Sequence, residues 1–202
     1  MNAQRASFPN IMWVIGAMLI IFGITAVIVI NWANLSRGNL PVYGTIPEFE
    51  FTERSGEPFG LDDMKGKINV VDFFFSNCHG PCPVMSGNML ELYRLYEHTD
   101  RIQFISISVD PARDTLPRLR EYADELGVTD NRWLFLYAPI EDVVELCEKG
   151  FMLAAEDLPG NHSTQFVLVD HLGQIRGYYS GIDEAEQELL KEHIRVLGKE
   201  LP

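Results

Sequence analysis

The sequence predicts an α/β domain that follows one N-terminal transmembrane helix. Three observations support this fold class: residues 11–30 form an uncharged apolar run, strand-length apolar stretches then alternate with helical patterns, and the chain closes on a β-hairpin and a helix. Strands that alternate with amphipathic helices are typical of a central sheet with helices on its faces. With 202 residues, the chain is long enough for one membrane segment and one domain with a substantial core.

Residues 11–32 are the predicted membrane anchor. At about 1.5 Å per residue, the apolar run spans roughly 30 Å, the thickness of a bilayer's hydrocarbon core. Trp13 and Trp32 stand near its ends, where interfacial indoles are favoured. A cleavable signal peptide is the alternative, but it would have a shorter apolar region and a small-residue cleavage site. We therefore expect a single-pass protein of a bacterial inner membrane, with residues 1–10 in the cytoplasm and the domain in the periplasm.

The charge distribution argues against nucleic acid as a partner. The formal net charge is −13, all 29 acidic residues follow the apolar run, and Arg5 is the only basic residue before it. Such an acidic domain is repelled by phosphate backbones and by anionic lipid headgroups. The chain has only three cysteines, too few for a scaffold held together by disulfides.

Strands are predicted where apolar or alternating runs end at turn residues. A tether at 33–45 leads into the domain, expected at 46–202. Asp72 interrupts one nearly continuous apolar run, which predicts a strand buried on both faces and a hydrogen-bond partner for the carboxyl group. The predicted strands are 49–52 with a returning arm at 59–61, then 68–75, 102–109, 133–137, 165–169 and 174–179, the last two joined as a hairpin.

Helices are placed by prolines in the first turn and by capping residues. Pro81 and Pro83 open the first helix, whose apolar stripe includes Met85 and Met89 as expected core residues. The other predicted helices are 115–126 with Asp114 as N-cap and Pro117 in its first turn, 140–150 with Cys147 as a buried small apolar side chain, and a last helix from the N-cap Asp183 to about Lys199.

Cys78 and Cys82 stand at the turn between the strand at 68–75 and the first helix of the domain. Side chains four residues apart share one face of a helix, so the two sulfurs can converge. The positive end of the helix dipole favours anions, which predicts a lowered thiol pKa and thiolate character. Thiolate is both a redox nucleophile and a soft metal ligand. The pair by itself leaves open disulfide exchange, metal binding and two nearby thiols without function.

His162 immediately precedes the strand at 165–169, in a loop that can lie at the same sheet edge as the cysteine turn. A surface loop residue is the alternative interpretation. Two thiolates and one imidazole would make a site suited to Cu(I), Cu(II) or zinc. Three further histidines have no role in this pattern and are expected at the surface: His98, His171 and His193.

Three segments together resemble the Sco/SenC family: Asn77–Pro83, Ser106–Thr115 and Asn161–Ser163. The resemblance covers roughly residues 46–197 and implies a membrane-anchored, thioredoxin-like fold with a central mixed sheet flanked by helices. It also implies that Cys78, Cys82 and His162 are copper ligands. Where the family usually has an acidic residue between its cysteines, this chain has His79, Gly80 and Pro81, so a negative charge is missing and an additional imidazole is present. Asp110, Arg113 and Asp114 are expected to shape the turn that they occupy and to cap the helix that follows, with a role near the site as the alternative.

The family resemblance implies a metallochaperone that delivers Cu(I) or Cu(II) to the binuclear copper site of cytochrome c oxidase. The expected partners are the copper-site subunit of the oxidase, other copper chaperones and thioredoxin-like reductants. Two alternatives remain. In a thiol–disulfide oxidoreductase, Cys78 would attack and Cys82 would resolve, which would keep the oxidase cysteines reduced. A sensor of copper or redox state is the other. A general reductase is disfavoured because no proline directly precedes the strand at 165–169 and no tryptophan precedes Cys78.

Overall fold

The computed structural model describes residues 11–36, 40–78 and 80–201. The expected cytoplasmic segment 1–10 and His79 lie outside the described residues. Helix α1 runs over Ile11–Ser36, and its side chains are described at positions 13 and 15–29. Within this described part of the chain, no helix is long and apolar enough to cross a membrane. The transmembrane anchor at 11–32 is therefore not confirmed and stays a prediction.

A mixed eight-stranded sheet forms the centre of the described domain, which begins at Leu40. The strands are β1 (Gly44–Thr45), β2 (Glu50–Glu53), β3 (Pro58–Gly60), β4 (Ile68–Phe74), β5 (Ile102–Ser108), β6 (Trp133–Tyr137), β7 (Gln165–Val169) and β8 (Gln174–Ser180). Their order in the sheet is β1-β8-β7-β4-β5-β6-β2-β3. Strands β4, β5 and β6 are parallel, and every other neighbouring pair is antiparallel.

Strand β4 lies in the middle of the sheet, and all seven of its residues are buried. Because side chains alternate across a strand, Val71 and Phe73 enter one apolar core and Val70 and Phe74 enter the other. This explains why the sequence reads as an almost unbroken apolar run. β7 is antiparallel to β4, so the start of β7 lies at the edge where β4 ends. That edge carries the cysteine turn.

The helices cover the two faces of the sheet close to the predicted bounds. The last helix, α6 (Glu184–Gly198), has the predicted N-cap Asp183, whose carboxylate accepts a hydrogen bond from the Glu186 N–H. The helix at 140–150 instead divides into an α-helix and a π-helical turn at Leu146–Gly150. The α-helices of the domain are α2 (Leu61–Met64), α3 (Cys82–Leu95), α4 (Leu116–Leu126), α5 (Ile140–Glu145) and α6 (Glu184–Gly198).

The last part of the expected tether, residues 40–45, packs against the domain. Leu40 is buried, and its carbonyl accepts a hydrogen bond from Arg176 at 2.8 Å. The same guanidinium pairs with Asp170 at 2.7 Å and with Glu200 at 2.9 Å. Strand β1 then adds to the edge of the sheet beside β8. A strand of two residues has no periodic pattern, so the sequence did not predict it.

Candidate metal centre

Cys78, Cys82 and His162 converge at the edge of the sheet where β4 ends. Cys78 lies in the turn after β4, and Cys82 is the first residue of α3, with Pro81 as its N-cap. His162 precedes β7, whose pairing with β4 brings it to the same edge. The two sulfurs and a ring nitrogen all lie within 4.8 Å of one another. The convergence predicted from the sequence is present.

The His162 ring is oriented by the backbone carbonyl of the next residue. Its Nδ1 lies 3.0 Å from the carbonyl oxygen of Ser163, and because a carbonyl only accepts, Nδ1 carries the proton. Burial lowers the pKa of this imidazole and so favours the neutral ring. In the tautomer with the proton on Nδ1, Nε2 has a free lone pair. That lone pair faces the Cys82 sulfur at 3.1 Å. The ring of Phe75 packs edge-on against the imidazole of His162, with 5.5 Å between the ring centroids.

The two thiols differ in accessibility. Cys82 is 2% exposed, whereas Cys78 is partly exposed and accepts a hydrogen bond from the Gly80 N–H at 3.4 Å. Burial, together with the neighbouring Cys78 thiol, raises the pKa of Cys82 to about 12. The predicted lowering of the thiol pKa is therefore wrong for Cys82, because desolvation of the thiolate outweighs the helix dipole. Both thiols are free, as is the buried Cys147.

Asp114 supports the cysteine turn, so its alternative role near the site is the one that the structure shows. The N-cap of α4 is Thr115 rather than Asp114. The buried Asp114 carboxylate instead accepts hydrogen bonds from the backbone N–H and the hydroxyl of Ser76 and from the hydroxyl of Ser108. Arg118 Nε also donates to the Ser76 hydroxyl at 3.1 Å. These bonds position the residues that lead into Cys78.

Asp110 and Arg113 shape the preceding turn, as expected. Their side chains form an ion pair at 3.0 Å, and the Asp110 carbonyl accepts the backbone N–H groups of Arg113 and Asp114. His171 and His193, which were expected at the surface, are partly exposed, and His193 Nδ1 lies 2.5 Å from the Tyr179 hydroxyl. The expectations for the remaining side chains are confirmed: Met85, Met89 and Cys147 are buried in the cores, and His98 is exposed.

Asp72 is fully buried in β4 and has the partner that its burial requires. The Ser106 hydroxyl donates to it at 2.6 Å and accepts a hydrogen bond from the Trp133 indole at 2.9 Å. Burial nevertheless raises the pKa of this carboxyl group to about 7. Desolvation of the charge exceeds the stabilisation that one hydroxyl supplies.

The donor set fits a thiophilic metal ion. Thiolates and imidazole are ligands of copper and zinc, and an imidazole whose Nδ1 donates to a carbonyl presents Nε2 in the tautomer that binds metal. A metal ion here would replace the Cys82 thiol proton. His79, the additional imidazole in the cysteine loop, lies outside the described residues.

The fold and the site together define a thioredoxin-like domain that carries a cluster of two thiols and one imidazole. The sequence model of the SCO1/SenC family matches residues 41–197, and the chain belongs to this family. The SCO1 protein homolog of Bacillus subtilis (strain 168) is 28% identical over 176 residues, which are 82% of this chain and 91% of that protein.

Solved structures give the same family assignment. A SCO1/SenC family lipoprotein from Bacillus anthracis str. Ames is 32% identical, with a TM-score of 0.69, over 77% of this chain and 96% of that one. Yeast Sco1 solved with copper bound is 26% identical, with a TM-score of 0.59, over 77% of this chain and 90% of that one.

Proposed function

We propose that this protein is a copper metallochaperone that binds one copper ion through Cys78, Cys82 and His162 and delivers it to the binuclear copper site of cytochrome c oxidase. The observation that carries the proposal is the approach of two sulfurs and one imidazole nitrogen to within 4.8 Å. The copper in yeast Sco1 supports the choice of metal. The recipient is inferred from the role of the Sco/SenC family in oxidase assembly.

The difference in exposure between the ligands suits transfer. Cys82 and His162 are buried, so they can retain the ion, whereas the partly exposed Cys78 is open to an incoming thiolate of the recipient. Three protein ligands leave a position for such exchange, unlike the closed four-ligand sites of structural zinc. The proposal includes the anchor at 11–32 in a bacterial inner membrane, with the domain in the periplasm, on the strength of the uncharged run at 11–30.

A thiol–disulfide oxidoreductase is the second candidate, favoured by two neighbouring free thiols of which one, Cys78, is partly exposed. The Cys78 thiolate would attack a disulfide of the oxidase subunit, form a mixed disulfide and release one partner thiol. Cys82 would then attack the mixed disulfide and release the second thiol. The partner gains two electrons and two protons, and the pair in this protein becomes a disulfide that a thioredoxin-like reductant must reduce.

The variant His162→Ala separates the two functions in cells. Removing the imidazole takes away a metal ligand but neither thiol, so we expect loss of the oxidase copper site while the cysteines still cycle between thiol and disulfide. The matched control is His98→Ala, which removes an exposed imidazole elsewhere. Normal oxidase activity of the His162 variant under copper limitation, together with loss of activity in Cys78→Ser, would establish the reductase in place of the chaperone.

A further inference from the structure

A groove of about 320 Å³ lies between α3 and α6, beside the metal centre. On one side, Val84 follows the second cysteine of the site by two residues. On the other, the Gly181 N–H donates to the Thr164 carbonyl at 2.7 Å, two residues beyond the histidine of the site. Asn88 joins the two sides by donating to the Gly181 carbonyl at 2.8 Å. The groove is therefore built on the same elements that position the thiols and the imidazole.

Gln187 lines this groove with a buried acceptor that has no donor. The residue is 6% exposed, and its Nε2 donates to the Ser180 carbonyl at 2.5 Å. Because that carbonyl can only accept, the amide atom that faces it is the nitrogen, and the unpaired atom is the oxygen, Oε1. No described residue donates to this oxygen. A buried acceptor in this condition destabilises the free protein. Because the oxygen is closed to solvent, a donor in the groove reaches it only when the Gln187 side chain turns toward the groove.

The rim of the groove favours a cation. Glu91 and Glu184 line it, are exposed, and have no ion-pair partner among the described residues. Lys191 also lines the groove, but its ammonium group pairs with Glu188 at 2.7 Å and not with Glu91 or Glu184. A positive group that entered would therefore meet two carboxylates without compensating charge.

Apolar contact is available at the same place. Val84 and Ile182 both line the groove and are 52% and 50% exposed. Half-exposed aliphatic side chains next to carboxylates match a long basic side chain, whose stem is apolar and whose head is charged.

We propose that this groove receives a lysine or arginine side chain of a partner protein and holds that partner against the metal face. The cationic head lies between Glu91 and Glu184 and draws the Gln187 amide toward the groove, where Oε1 accepts its hydrogen bond. The stem and an adjacent apolar residue contact Val84 and Ile182. A second copy of this chain is a poor occupant, because its net charge is −13. That the partner is the copper recipient rests on the proposed function, whereas the preference of the groove for a cation does not.

The test is an NMR titration of the metal-free, full-length protein in a nonionic detergent. The probe is a short capped peptide with one lysine between two leucines, and the matched probe has norleucine in place of lysine. We expect the lysine peptide to shift the amide signals of Val84, Ile182 and Gln187 and to bind about tenfold more tightly than the norleucine peptide. The double variant Glu91→Gln/Glu184→Gln and the single variant Gln187→Met should each lose about tenfold in affinity.

The control is the double variant Glu141→Gln/Glu148→Gln, which makes the same change of charge at exposed positions outside the groove. It should bind the lysine peptide as the unmodified protein does. Equal binding of the two peptides, unchanged affinity in the groove variants, or shifts confined to other surfaces would overturn the proposal. Copper stoichiometry is measured on the same variants. Failure of the unmodified protein to bind copper would overturn the proposed function and leave the peptide result intact.

Discussion

The Asp114 carboxylate accepts hydrogen bonds from both the backbone N–H and the hydroxyl of Ser76, at 3.1 and 2.5 Å, two residues before Cys78. Asp114 therefore acts on the candidate metal centre through the backbone of the cysteine turn and not by contact with one of the proposed ligand atoms. Outer partners of this kind decide how well ligands are oriented before a metal arrives.

The variant Asp114→Ala tests this relationship. It leaves the Ser76 N–H and the Ser108 hydroxyl without their acceptor, so we expect a loss of about 3 kcal/mol in the free energy of unfolding. Copper affinity should fall by about tenfold, because Cys78 is less well positioned. Chemical denaturation and competition with a copper chelator measure the two effects. Asp124→Ala, at an exposed position of α4, is the control and should change neither quantity.

Replacing either site cysteine by serine should remove most of the copper affinity. A serine hydroxyl stays protonated where a thiol can give up its proton to a soft metal ion. We expect copper affinity to fall by more than about 100-fold in Cys78→Ser and in Cys82→Ser. This exceeds the loss that follows when a residue hydrogen-bonded to a ligand is replaced. His162→Ala should weaken binding as well. Cys147→Ala, which alters a thiol in the core, should bind one copper ion as before. Unchanged binding in the His162 variant would mean that the third ligand is misassigned and that His79 is the next candidate.

Asp72 should make the stability of the domain depend on pH. Its pKa is about 7 in the folded protein and 3.8 in the reference state, so the folded protein holds this proton more strongly than the unfolded chain does. Stability from this group is fully present below about pH 4, is lost as the pH rises to about 7, and is constant above that. The pKa difference corresponds to about 4 kcal/mol at most.

The variant Asp72→Asn isolates this effect, since the amide can still accept the Ser106 hydrogen bond. In reduced, metal-free protein, we expect the variant to be the more stable at pH 8 and to lose the decline between pH 4 and pH 7. Urea unfolding across this range is the measurement, with Asp124→Asn as the control. Parallel pH profiles for the variant and the unmodified protein would show that Asp72 does not titrate in this way.

The membrane anchor can be tested by protease accessibility on spheroplasts. We expect added protease to digest the domain and to leave a membrane-bound fragment that contains residues 11–32, because an uncharged run of that length is stable in a bilayer. Deletion of residues 1–33 should release the domain in soluble form. Protection of the domain from protease, or its release from membranes by a salt wash, would contradict the predicted anchor and orientation.

Local patterns by themselves determined most of the secondary structure of this protein. The strands at 133–137 and 165–169 and the N-cap Asp183 agree with the structure, because burial alternation, proline and capping act over a few neighbouring residues. The spacing of Cys78 and Cys82 likewise predicted that both thiols share one turn. These features depend on contacts close in sequence.

The sequence indicated that the loop of His162 can lie beside the cysteine turn, but only the tertiary structure decided the contact. His162 is 80 residues from Cys82, and the antiparallel pairing of β7 with β4 brings the two together. The tertiary structure also decided the direction of the Cys82 pKa, because the depth of burial outweighs the helix dipole. Asp114 was expected to cap a helix, but its carboxylate instead accepts a hydrogen bond from Ser76, which is 38 residues away in sequence. Desolvation and long-range hydrogen bonds depend on how the layers pack, and no local pattern records that packing.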